Sequence, residues 1–101
     1  QYPLLGVSGT DVTREVAERF DLEGGGALIE EVTPGSGADD AGLQPDDIIV
    51  ADDREELTSM SALVVAVRRF QPGDTIEVTY LRDGQQRTVE VTLVDRDDFV
   101  S

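Results

Sequence analysis

Gly6-Val7-Ser8-Gly9 sets a serine among glycines, as a nucleophile on a tight turn would be set. The chain has no histidine, however, so no Ser-His-Asp triad can be assembled within it. It has no cysteine either, which removes thiolate nucleophiles, thiolate metal sites and disulfides and leaves the redox compartment open. Asp46-Asp47 and Asp52-Asp53 pair carboxylates, the residue type of acid-base catalysis. Nothing substrate-shaped accompanies them, and they read as solvated turn charges. Asp95-Arg96-Asp97-Asp98 lacks the glutamate that closes a calcium loop and reads as a solvated tail. Gly24-Gly25-Gly26 lacks the Gly-Lys-Ser/Thr ending of a phosphate loop and reads as a connector. The chemistry these residues can do is therefore recognition, with no cofactor and no metal expected.

Charge narrows the partners. Acidic residues number 22 against 8 basic ones, all arginine, for a formal net charge of −14. Such a field repels phosphate backbones and anionic membranes, so neither a nucleic-acid partner nor direct membrane insertion is expected. No apolar run approaches the ~18 residues of a membrane span, no signal-peptide pattern opens the chain, and the segment reads as a piece of something longer. An acid excess without lysine reads as adaptation to high salt, where screening removes the self-repulsion. The melting temperature is accordingly expected to rise steeply from low to molar NaCl, and a flat profile would remove that reading.

Any site must be positioned by short elements. At 101 residues and 39% hydrophobic, the chain supports one domain with a modest core, drawn over residues 1–94, with residues 95–101 as an acidic tail or linker. Residues 4–9 read as a strand, and residues 12–20 as a helix with Val12, Val16, Ala17 and Phe20 on one face and Thr13 or Asp11 as N-cap. A strand over 27–32 follows the glycine run. Residues 34–50 then write out an elbow: Ser36 can cap a one-turn helix over 38–41, Gly42 supplies a left-handed exit, and 48–51 has the β-branched run of a buried strand. After a turn over 52–55 and a short strand near Leu57, Ser59 caps a second long helix that runs to about residue 70 and is ended by Pro72-Gly73. Residues 75–81 and 87–93 alternate apolar and polar around Arg82-Asp83-Gly84-Gln85, a hairpin signature. The expected class is β-rich α+β, five to six strands in a small partly open barrel or sandwich capped by two helices.

The elbow resembles the middle of PDZ domains, above all those that follow the protease domain in HtrA-type serine proteases, where a pattern close to G-S-P-A-x-x-A-G-L-x-x-G-D-x-I is usual. Leu4-Leu5-Gly6-Val7 is similar to the carboxylate-binding loop of that family, and residues 72–84 to its closing hairpin. The resemblance covers residues 4–93. It implies the PDZ fold and a non-catalytic peptide-binding module. Such a module captures hydrophobic C-termini of unfolded or unassembled proteins outside the cytoplasm, whether periplasmic, secreted or membrane-anchored facing outward. It also implies a parent serine endopeptidase, able to assemble as a homo-oligomer, whose own protease domain is fed or regulated by the module.

Residue roles follow from the same resemblance. A free C-terminal carboxylate needs donors for two oxygens, and the convergent N–H groups of a glycine turn supply them without a charged side chain. Leu4, Leu5, Gly6 and Val7 would form that turn, and Val7, Ser8 and Gly9 would pair with the peptide as an added antiparallel strand. The opposite wall would be the helix after Ser59, with Met60, Val64 and Val67 facing the groove and Arg68 at its rim. Leu63 belongs to the neighbouring stripe with Ala66, Val67 and Phe70, and replaces Val64 in the groove if the helix phase differs by one residue.

The chain also departs from the family pattern. Gly37 stands where proline is usual, Asp46 where glycine is usual, and Asp52 and Arg54 where a buried valine and a turn glycine are common. A buried Asp52 would be costly unless the strand ends before it or an arginine meets it. Two other readings stay open: a PDZ domain of another machine, such as a membrane-embedded metalloprotease, a tail-specific protease or a secretion component, or an occluded groove that serves docking or oligomerisation. A helix directly after the carboxylate loop favours the HtrA type.

Overall fold

The computed structural model describes residues 3–19, 25–53 and 55–95. Its elements in chain order are β1 (Pro3–Leu4), β2 (Val7–Asp11), α1 (Arg14–Arg19), β3 (Ala27–Val32), α2 (Gly37–Ala41), β4 (Ile48–Ala51), α3 (Met60–Arg68), β5 (Thr75–Arg82), β6 (Gln85–Thr92) and β7 (Val94–Asp95). An antiparallel five-stranded sheet in the order β2-β3-β4-β5-β6 is the frame, and β1 pairs with β7 apart from it. The sheet does not close, so β2 remains an edge strand. The fold is thus β-rich with helices packed on an open sheet, as the residue pattern requires. The third helix among the described residues is the single turn of the elbow.

Side-chain alternation explains the frame. In β5, Ile76, Val78 and Tyr80 are buried at every second position, and Val91 of β6 faces the same core. Ile29, Ile49, Leu57 and Leu93 complete its fully buried centre. Burial of each such side chain contributes about 1.5–3 kcal/mol. β5 and β6 pair over their full length through a two-residue turn at Asp83 (φ 53°) and Gly84 (φ 79°), the Asp-Gly hairpin turn whose twist matches the strands.

The elbow forms as its capping residues dictate. Ser36 accepts a hydrogen bond from Asp39 N–H at 3.3 Å, and Gly42 leaves α2 at φ 89°, its N–H bonding the Asp39 carbonyl. Asp46 adopts φ 77°, the left-handed conformation for which glycine is usual there and which aspartate tolerates better than most residues.

The structure differs from the sequence reading at several places. The strand expected over 4–9 is broken into β1 and β2, because Gly6 turns at φ 96°. Helix α1 starts two residues later than expected, after Thr13, whose hydroxyl accepts from Val16 N–H at 3.2 Å. Val16 and Ala17 are only half-buried, and Phe20 and Arg54 lie outside the described residues. Asp95 pairs with Pro3 across β1 and β7, so the tail boundary drawn after residue 94 cuts into a strand. The remainder of that tail, residues 96–101, lies outside the described residues.

Asp47 corrects the reading of solvated turn charges, while Asp46 and Asp53 are exposed. Asp47 is only 2% exposed. Its two oxygens accept a fork of hydrogen bonds from Arg82, Nε to Oδ1 at 2.9 Å and Nη2 to Oδ2 at 2.7 Å, and Oδ2 also accepts from Gln44 N–H. Arg82 Nη2 reaches the Gly42 carbonyl at 2.8 Å, and the guanidinium lies over the Tyr80 ring. Strand β4 ends at Ala51, before Asp52, whose Oδ1 caps its own turn by accepting from Glu55 N–H. Asp53 accepts from Glu77 N–H at 2.6 Å and so extends the edge of β5 past the end of β4.

Candidate functional site

The turn between β1 and β2 is held from beneath. Ala38 N–H, at the start of α2, donates to the Leu5 carbonyl at 2.9 Å, and Thr33 N–H donates to the Gly6 carbonyl at 2.7 Å. Both carbonyls are thus turned into the protein, and among the described residues no partner meets the Leu5 or Gly6 N–H. A Cβ on Gly6 would sit 2.1 Å from Cβ and Oγ of Ser36, the buried residue that also caps α2. Elbow and turn are therefore one unit, and glycine is needed for both the close approach and the positive φ.

Strand β2 continues from that turn along the open edge of the sheet. Its pairing with β3 shifts between Ser8 and Gly9, so that Ser8 faces Glu31 while Gly9 faces Ile29. A Cβ on Gly9 would lie 1.9 Å from the Leu28 carbonyl oxygen, so the two backbones can approach this closely only at a glycine.

Helix α3 forms the facing wall. Ser59 caps it by accepting from Ala62 N–H at 3.0 Å. A second cap comes from across the groove, where Met60 N–H donates to Asp11 Oδ1 at 2.7 Å. Asp11, one of two candidates for the N-cap of α1, instead fastens the start of α3 to the end of β2. No local spacing could have signalled this, since the two residues are 49 apart in sequence.

Between the walls runs a cavity of about 850 Å³. Leu4, Leu5, Gly6 and Val7 line one side, and Met60, Leu63, Val64, Val67 and Arg68 line the other. Pro3, Phe70, Gln71 and Pro72 line the cavity as well; the sequence reading placed none of these at the site. Leu63 is 2% exposed and Val64 40% exposed, and both line the cavity. A shallower cavity shares Met60 and Val64 and extends the groove past Gly9, Thr10 and Asp11 to Ser61 and Val65. Ser8 is exposed and lines neither cavity. Among the described residues, no three histidine, cysteine, aspartate or glutamate side chains are placed to hold a metal.

Comparison with known proteins places this geometry in a family. The family model described as "PDZ domain" matches residues 3–93. The chain is 37% identical over 91 residues to the periplasmic pH-dependent serine endoprotease DegQ of Escherichia coli, covering 89% of this chain and 20% of that protein. It thus spans about a fifth of the length of the curated relatives it matches. The solved structure of the HtrA-type protease AlgW with a decapeptide superposes with a TM-score of 0.79 at 30% identity, over 92% of this chain and 29% of that one. The HtrA3 PDZ domain bound to a phage-derived ligand shares the fold, with a TM-score of 0.75 at 22% identity over 90% of this chain and 84% of that one.

Proposed function

The chain belongs to the PDZ domain family, and we propose that it captures peptides ending in a free carboxylate and an apolar side chain, by adding them as a strand to β2. The observation that carries this reading is the edge of β2 lying open along an apolar groove that begins at a turn with inward carbonyls. The turn amides of Leu5, Gly6 and Val7 receive the carboxylate, the exposed edge of β2 over Val7, Ser8 and Gly9 pairs with the peptide backbone, and Met60, Val64 and Val67 contact the terminal side chains. Burial of one apolar terminal side chain contributes about 1.5–3 kcal/mol, and with the cost of ordering the peptide the affinity falls on the order of micromolar.

In this reading the parent protein is an HtrA-like serine endopeptidase whose catalytic groups lie outside this chain. Its position is extracytoplasmic, in keeping with relatives named as periplasmic. Among the described residues no helix is long and apolar enough to cross a membrane. The captured C-termini belong to unfolded substrates, delivered to the protease domain or used to regulate it.

Strand addition is tested by fluorescence anisotropy with a peptide ending in Val-Phe, N-methylated at successive amides. Methylation of an amide that faces β2 is expected to weaken binding about tenfold or more, and methylation of its neighbour to have little effect. Equal tolerance at both positions would contradict backbone pairing.

A further inference from the structure

Among the described residues, Arg68 is the charged side chain that lines the larger cavity; its other walls are apolar or neutral. It is also set apart from most of the other described arginines by its lack of an ion pair. Arg14 pairs with Glu18, Arg19 with Glu15, Arg69 with Glu55 and Arg82 with Asp47, while Arg87 bonds the Gln85 side chain. Arg68 has no carboxylate partner among the described residues, in a chain with 22 acidic side chains. Among the described residues only Arg68 and Arg87 have no carboxylate partner, and of these two only Arg68 lines a cavity.

A carboxylate entering that groove meets two opposing effects. Backbone N–H groups offer only partial charges. The net charge of −14 repels an anion before contact. We propose that Arg68 supplies the full charge the amide turn lacks and so makes the groove selective for chain ends over internal or amidated segments. The proposal rests on the capture reading above and adds to it the residue that sets this selectivity. Because Arg68 is exposed, its attraction is screened by salt. Its position in the last turn of α3 also allows a purely structural role against the helix C-terminal partial charge, which would affect every ligand alike.

The test measures affinity for one peptide as free acid and as amide, at low and at molar NaCl, with the unaltered chain, Arg68→Gln, Arg68→Lys and Arg69→Gln. Arg69 is paired with Glu55 and lines neither cavity, so it serves as the control. Arg68→Gln is expected to lose about three- to tenfold in affinity for the acid and nothing for the amide, and Arg68→Lys to recover most of the acid preference. In the unaltered chain the preference should shrink with salt, and in Arg68→Gln it should not shrink, rising as salt screens the repulsion from the net charge. Equal loss for acid and amide would reduce Arg68 to a wall of the groove and overturn the proposal. So would an undiminished acid preference in Arg68→Gln, with the capture reading left standing. If the unaltered chain binds neither peptide, the capture reading itself falls.

Discussion

Replacing Arg82 with alanine is expected to remove about 3 kcal/mol of folding stability, because it strands a buried carboxylate. The Asp47 side chain is 3% exposed and that of Arg82 25%, so water can do little to solvate the aspartate left behind. The loss also frees the Gly42 carbonyl and the face of Tyr80. These contacts fasten the elbow to β5, and the elbow in turn holds the Leu5 carbonyl through Ala38. The change should therefore loosen the binding turn while leaving every groove side chain in place. Urea unfolding is the measurement: the midpoint should fall with little change in slope. A loss under about 1 kcal/mol would mean that the pair behaves like an ordinary surface ion pair. The pH dependence has a definite sign. The side-chain hydrogen bonds to Asp47 raise the Arg82 pKa above its ordinary value, so the contribution is complete below that value and lost only in strong alkali. The deficit of the variant should hold level through neutral and mildly alkaline pH.

Gly6→Ala carries the second large effect, and it joins stability to recognition. The new methyl would meet Ser36 Cβ and Oγ at 2.1 Å, on a backbone at φ 96°. The left-handed conformation costs about 1–2 kcal/mol and the overpacking about 1–3 kcal/mol. A total of about 2–5 kcal/mol is expected, with peptide binding lost because the amides of the turn are displaced. Ser36 is short and buried and bonds the Thr33 carbonyl at 2.7 Å, so it cannot step aside without uncapping α2. Thermal melts of Gly6→Ala, Ser36→Gly and the double variant separate the two causes. The double variant should recover the steric part and keep the conformational part. Additive losses would mean that the two residues do not press on each other.

Much of this architecture was legible because it is written locally. Ser36 and Gly42 bracket α2, Ser59 starts α3, and Asp83-Gly84 turns the hairpin, each through chemistry that acts within a few residues. Helical spacing put Met60, Val64 and Val67 on one face, and all three line the cavity, whereas the turn at Gly6 breaks a stretch read as one strand. What escaped the sequence depends on distant partners. Asp47 looked like a solvated turn charge because Arg82, which buries it, lies 35 residues away. Asp11 gave no sign that it caps α3 rather than α1. Phe70, Gln71 and Pro72, which follow α3, line the groove beside Leu4 to Val7, more than 60 residues away in sequence. Arg68 could be placed at a rim, but its isolation from carboxylates became visible only in the structure, where Arg14, Arg19, Arg69 and Arg82 each meet one.

The central claim is that the groove takes a free C-terminus at the Gly6 turn. An NMR titration of labelled protein with a short peptide ending in Val-Phe, beside the same peptide amidated, tests it most directly. Saturable shifts at Leu5, Gly6, Val7 and Val64 with the free acid, and much weaker ones with the amide, are the predicted result. Absence of shifts at those residues with either peptide at millimolar concentration would contradict it, and would leave the domain as a docking or oligomerisation element.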